Sequence, residues 1–200
     1  MKSIIPEREL KRISNQLRLH DPGAEELTID LVDELGCIAC LCSFSKLIID
    51  ANKSLIADEI YTIKKELKET ELCIGERATS YYGLYYEIVR EILELIRPKF
   101  HISVHTRPKL NNNDLEILYK GDNMIAKEFV ESLRKKGVKS DCKESIEFDM
   151  GINRSIELAF YPDCIIKSFR INILEEIATN NSKRKGLITD ICSVSSNLLI

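Results

Sequence analysis

Residues 100–137, FHISVHTRPKLNNNDLEILYKGDNMIAKEFVESLRKKG, carry two periodicities in a single run. Phe100–Val104 and Leu115–Tyr119 are short β-rich segments, separated by the polar, turn-rich stretch from Pro108 to Asp114. They read as strands. Met124–Lys136 then repeats apolar residues at helical spacing, and Gly137 supplies a stop. Strands in series with an amphipathic helix point to a sheet with helices laid on it.

Working upstream, Glu76–Arg97 is the clearest helix, with Tyr82, Tyr85, Tyr86, Val89, Ile92, Leu93 and Ile96 along one side before Pro98 ends it. Ile56–Leu72 is charged and helical in propensity. Lys46–Lys53 is a brief β-rich run closed by polar residues, a loop-edge arrangement of the kind that often carries function. Cys37–Phe44 is short, apolar and uncharged, which predicts a buried strand. Ala24–Leu35 places Leu27, Leu31, Val32 and Leu35 on a helical face, with Gly36 as its stop. Glu7–Leu19 is a further helix, interrupted by Asp21-Pro22-Gly23.

Downstream, Ser155–Phe160 is a strand candidate and Ile171–Thr179 reads as helical. Asn180–Gly186 reads as a polar loop, and Leu187–Ile200 is ambiguous between strand and helix. The alternation of strands with long helices predicts an α/β fold of three layers, a mixed, mainly parallel sheet with helices on both faces. A chain of 200 residues is expected to form one domain, 1–200, burying roughly 70% of its unfolded surface.

Composition narrows the function classes. With 44% hydrophobic and 30% charged residues the chain is of ordinary globular make-up. A formal net charge of −3 gives no field that argues for nucleic acid or an anionic membrane. No apolar run reaches the ~18 residues of a membrane span, and no signal-type apolar core follows Met1. A cytoplasmic protein is expected. The seven cysteines, an odd number, show no spacing of a disulfide scaffold, in keeping with a reducing compartment. Cys37, Cys40 and Cys42 lack a second ligand pair and read as small buried hydrophobes rather than a zinc site. No Gly-rich phosphate loop, Gly-x-Ser-x-Gly elbow or His-Glu-x-x-His helix is present.

The stretch Leu19-His20-Asp21-Pro22-Gly23-Ala24, the helix to Leu35-Gly36, the run after it and Ser43-Phe44-Ser45-Lys46-Leu47-Ile48-Ile49-Asp50-Ala51-Asn52-Lys53 together resemble the N-formylglutamate amidohydrolase family. In that family an Asp-Gly-Ala helix leads to a strand and a Tyr-Ser-Arg-x-x-Ile-Asp-x-Asn-Arg segment. The paired tyrosines between Glu76 and Tyr86, and Ile102-Ser103-Val104-His105-Thr106 in place of an Asp-x-His-Ser strand end, extend the likeness. Leu115–Tyr119 and Ile156–Phe160 with Asp163 resemble its later strands. The ordered similarity covers roughly residues 5 to 166.

The resemblance implies a hydrolase-like fold related to zinc carboxypeptidases, and metal-dependent cleavage of an amide in a small N-acyl acidic amino acid. Zinc chemistry needs about three protein ligands, an open position for water and a carboxylate to move its proton. On this mapping His105 is a metal ligand, with His20 as a replacement second ligand brought in beside Asp21, and Glu157 is the catalytic acid. Asp50, Asn52 and Lys53 match the family's Asp-x-Asn-Arg segment, and together with Arg107 and Arg154 they would recognise the substrate.

The chain departs from the family's pattern at three places. Lys53 stands where Arg is usual and lacks a two-pronged grip. The family's Pro-His-Gly type turn has no counterpart, and an alignment through Asp163 puts Ala159 at the acidic position. His101 and His105 share a strand face but stand roughly 13 Å apart, so at most one is a ligand. Two readings therefore stand side by side: a zinc amidohydrolase, or a relative without catalysis that binds a small acidic ligand or regulates.

Overall fold

Leu27 and Leu31 lie one helical turn apart, and burying that pair decides how the first described helix sits. The computed structural model describes residues 21–41, 71–98, 100–119, 124–145 and 167–198. Helix α1 spans Ala24–Leu35 and ends as expected at Gly36, whose φ of 62° is left-handed and whose N–H reaches the Val32 carbonyl. Helix α2, Glu71–Ile96, contains the expected Glu76–Arg97 helix almost entire. It buries Val89 and Leu93, whereas Leu84, Ile88, Leu95 and Ile96 are exposed.

The strands are β1 (Phe100–Arg107), β2 (Leu115–Tyr119), β3 (Ser140–Glu144) and β4 (Lys167–Leu174). Helix α3, Met124–Lys135, links β2 to β3, α4 is Glu175–Thr179, and α5 is Asn181–Leu198. The strand order is β1-β4-β2-β3. Two of its three pairings are parallel, β1 with β4 and β2 with β3, while β2 runs antiparallel to β4. The architecture is thus the expected mixed, mainly parallel sheet with helices.

Alternation along the strands sorts the sheet into two unlike faces. One presents Leu115, Ile117, Phe169, Ile171 and Ile173, all fully buried, with Ile102 and Val104 at the margin. Against it pack Leu27 and Leu31 of α1, Ala126, Phe129, Val130 and Leu133 of α3, and Leu187, Ile188, Ile191 and Val194 of α5. The α3 residues follow the i, i+3, i+4, i+7 rule for a helix lying on an apolar surface. The Phe129 and Phe169 rings meet at 5.6 Å between centroids.

The second face is mainly polar: His101, Ser103, His105 and Arg107 on β1, Ser168, Arg170 and Asn172 on β4, Glu116 on β2, and Lys143 on β3, with the buried Leu118 of β2 opposite Arg170.

Several expectations are corrected. Residues 37–41 of the anticipated Cys37–Phe44 strand form no strand, and Ile38 and Leu41 are exposed, because apolar content without a partner edge does not make a sheet. Ile171–Thr179 is not one helix: β4 runs on to Leu174 and only Glu175–Thr179 is helical. Residues 181–186 of the anticipated loop and 187–198 of the ambiguous tail instead form α5, with Gly186 inside it. The short charged strand β3 had no sequence counterpart. The expected Glu7–Leu19 helix, the Lys46–Lys53 edge, nearly all of Ile56–Leu72 and the Ser155–Phe160 strand lie outside the described residues. Among the described residues no helix is long and apolar enough to cross a membrane.

Candidate functional site

The site begins with a turn that the sequence writes out residue by residue. Asp21-Pro22-Gly23-Ala24 closes with the Ala24 N–H donating to the Asp21 carbonyl at 3.0 Å. Proline favours the second position of a type II turn, and the third needs a positive φ, which Gly23 supplies at 77°. Gly23 is also pressed against α4, where a Cβ would stand 2.7 Å from the Ala178 carbonyl carbon. Arg184 of α5 holds the same corner, donating from Nε to Asp30 of α1 and from Nη1 to the Ala178 carbonyl. Asp21 is thereby fixed at the entrance of α1, beside the C-terminal end of β1.

There the Asp21 carboxylate accepts from Nδ1 of His105 at 2.6 Å. The imidazole's other nitrogen, Nε2, lies 3.0 Å from Oγ of Ser103, two residues back on the same strand face. A carboxylate can only accept, so it holds the proton of the neutral ring on Nδ1 and leaves Nε2 as an acceptor for the serine hydroxyl. His105 is only 8% exposed, which restricts its rotation. The result is a hydrogen-bonded series, carboxylate to imidazole to hydroxyl, in which a proton leaving the hydroxyl would be received by a correctly oriented base.

Strand β4 supplies the neighbouring row. Its parallel register pairs Ser168 with His101, Arg170 with Ser103 and Asn172 with His105. Ser168 Oγ is 2.8 Å from His101 Nδ1. Arg170, 6% exposed, is the residue paired with Ser103 across the two strands. Asn172, 2% exposed, donates through Nδ2 to Glu116, which also receives Lys143 at 2.7 Å. The amide's other end, Oδ1, is buried and accepts no hydrogen bond among the described residues. An unmet buried acceptor costs about 1–3 kcal/mol.

Of the expected site residues, His105 and Arg107 share the polar side of β1, with Arg107 two residues further along. His20, Asp50, Asn52, Lys53, Arg154 and Glu157 lie outside the described residues. Among the described residues no three His, Cys, Asp or Glu side chains converge as a metal site. His105 Nε2, the nitrogen Asp21 leaves for an ion, faces the Ser103 hydroxyl. The described residues therefore do not by themselves compose the zinc site that the resemblance implies. Ser103, Arg170 and Asn172 were not singled out from sequence, although the alternation of polar and apolar residues in 100–107 and 167–174 was there to show them.

No family model matches the chain, and no curated protein matches it. Among solved structures it is similar to the gene product Atu2144 from Agrobacterium tumefaciens, at 17% identity with a TM-score of 0.70, over 90% of this chain and 78% of that one. The likeness establishes a shared fold. More remote are the CwlD amidase of Clostridioides difficile, solved with the GerS lipoprotein, at 13% identity and a TM-score of 0.44 over 86% of this chain and 82% of that one, and an N-formylglutamate amidohydrolase from Ralstonia eutropha, at 13% identity and 0.41 over 69% and 55%.

Proposed function

We propose that the protein hydrolyses the amide bond of a small N-acyl acidic amino acid, with His105 as the group that takes and returns the proton. The observation that carries this reading is the series Asp21–His105–Ser103, in which both imidazole nitrogens have defined roles. A base placed in this way contributes about 10²- to 10⁴-fold to amide cleavage. The acidic substrate is supported by the cation on the same sheet face, the partly exposed Arg107 at the end of β1. Arginine holds a carboxylate through two parallel hydrogen bonds, which gives both charge and orientation.

The test is turnover of N-formyl- and N-acetylglutamate by the purified protein, followed by amine release, with and without a chelator. His105→Gln is expected to lower kcat by about 10²- to 10⁴-fold. Asp21→Asn is expected to lower kcat severalfold or more with KM nearly unchanged, and to shift the acid limb of the pH profile, because Asp21 acts through His105. Saturable binding of these acids with no turnover at any pH would overturn the enzyme and leave a receptor for acidic ligands. Loss of turnover in the chelator, restored by zinc, would bring the metal back to the centre of the reaction.

A further inference from the structure

Resting on the amide-hydrolase reading, we propose that Ser103 is the nucleophile of this site and that the reaction passes through an ester on its side chain. A hydroxyl is a weak nucleophile unless a base receives its proton as it attacks, and the base must lie within hydrogen-bond reach and be oriented by a third group. Ser103 meets each requirement. Its Oγ is 3.0 Å from Nε2 of His105, Nδ1 of that ring is held at 2.6 Å by Asp21, and the serine is partly open to solvent whereas the histidine is buried. These roles do not need an elbow between strand and helix. Alternation along β1 puts Ser103 and His105 on one side, and the turn before α1 brings the carboxylate to them.

The chemistry closes with water as its one co-reactant. Oγ of Ser103 bonds to the amide carbonyl carbon as its proton passes to Nε2, and the C–N bond breaks as Nε2 gives that proton to the departing nitrogen. Water then attacks the ester carbon, losing a proton to Nε2, and Oγ leaves and recovers it. The products are the acid of the acyl group and the free amine of the amino acid.

The probe is a small alkyl fluorophosphonate, which phosphonylates serines activated in this way, read by intact mass and peptide mapping. One adduct on the peptide containing Ser103 is expected, absent in Ser103→Ala and formed at least tenfold more slowly in His105→Gln. A second variant, Ser103→Cys, keeps a nucleophile at the position. Its new thiol should react with iodoacetamide at neutral pH faster than the native thiols at 40, 142 and 192, which burial pushes up.

Absence of any adduct on that peptide, or an introduced thiol no more reactive than the native ones, would overturn the assignment. If a folded Ser103→Ala still cleaves N-acylglutamate while His105→Gln does not, Ser103 is not the nucleophile but the hydrolase reading survives with water as attacker. If the wild type reacts with the probe at Ser103 yet turns over no N-acyl amino acid, the nucleophile stands and the substrate class falls.

Discussion

Gly23 shows how much a site can owe to a residue with no side chain. Its φ of 77° is strained for any L side chain, and a methyl group there would press on the Ala178 backbone. Both effects act one turn from Asp21. Gly23→Ala is therefore expected to cost about 1–3 kcal/mol of stability, measured by denaturant titration. It should also lower turnover beyond what the stability loss explains, as the carboxylate is moved off His105. The turn was legible in Asp21-Pro22-Gly23, and so was the interest of His105. That these two meet was not, because they lie 84 positions apart and nothing local records the contact.

At the level of helices and strands, the helices with a clean apolar stripe were the readable ones. Helix α3 has Ala126, Phe129, Val130 and Leu133 on one stripe and a glycine at its end, so composition and spacing agree. In β4 they conflict: Phe169, Ile171 and Ile173 alternate as a strand should, yet Ile171, Leu174 and Ile177 also satisfy a three-residue helical step. The sheet decides, since only the extended form lets this segment pair with β1 and β2 on its two edges.

Similarly, Lys183-Arg184-Lys185 lies within the stretch whose polarity predicts a loop. It belongs to the first turns of α5, where Arg184 secures α1. The attachment of α3 is tested by Phe129→Ala, which removes a fully buried ring from contact with Phe169. A loss of about 3–5 kcal/mol is expected from thermal or denaturant unfolding. A loss under 1 kcal/mol would mean that α3 is not held by the core.

For the molecule as a whole, the sheet divides labour between its faces. One face is hydrocarbon, closed by α1, α3 and α5; the other carries imidazole, hydroxyl, amide and guanidinium groups, and it is there that chemistry is possible. Burial also reaches the thiols: Cys40, Cys142 and Cys192 are all raised above the ordinary value, desolvation being the largest cause. A raised thiol pKa means the folded state holds its proton longer than the unfolded chain. This contribution to stability is complete below the unfolded thiol pKa and is lost as pH rises through the folded values. Iodoacetamide labelling of these three is expected to be slow at pH 7.5 and to accelerate only above about pH 9. Rapid labelling at neutral pH would contradict it.

Strands β1 and β4 pair along their whole length although their partner residues are 67 positions apart in the chain. Contacts so distant in sequence form only after a long loop has closed, and chains that depend on them fold slowly. Asp21 then has to arrive from still further upstream. During refolding from denaturant, helical signal should consequently return well before the contact between Asp21 and His105, so that a newly made chain spends its early lifetime with helices but without that pair joined.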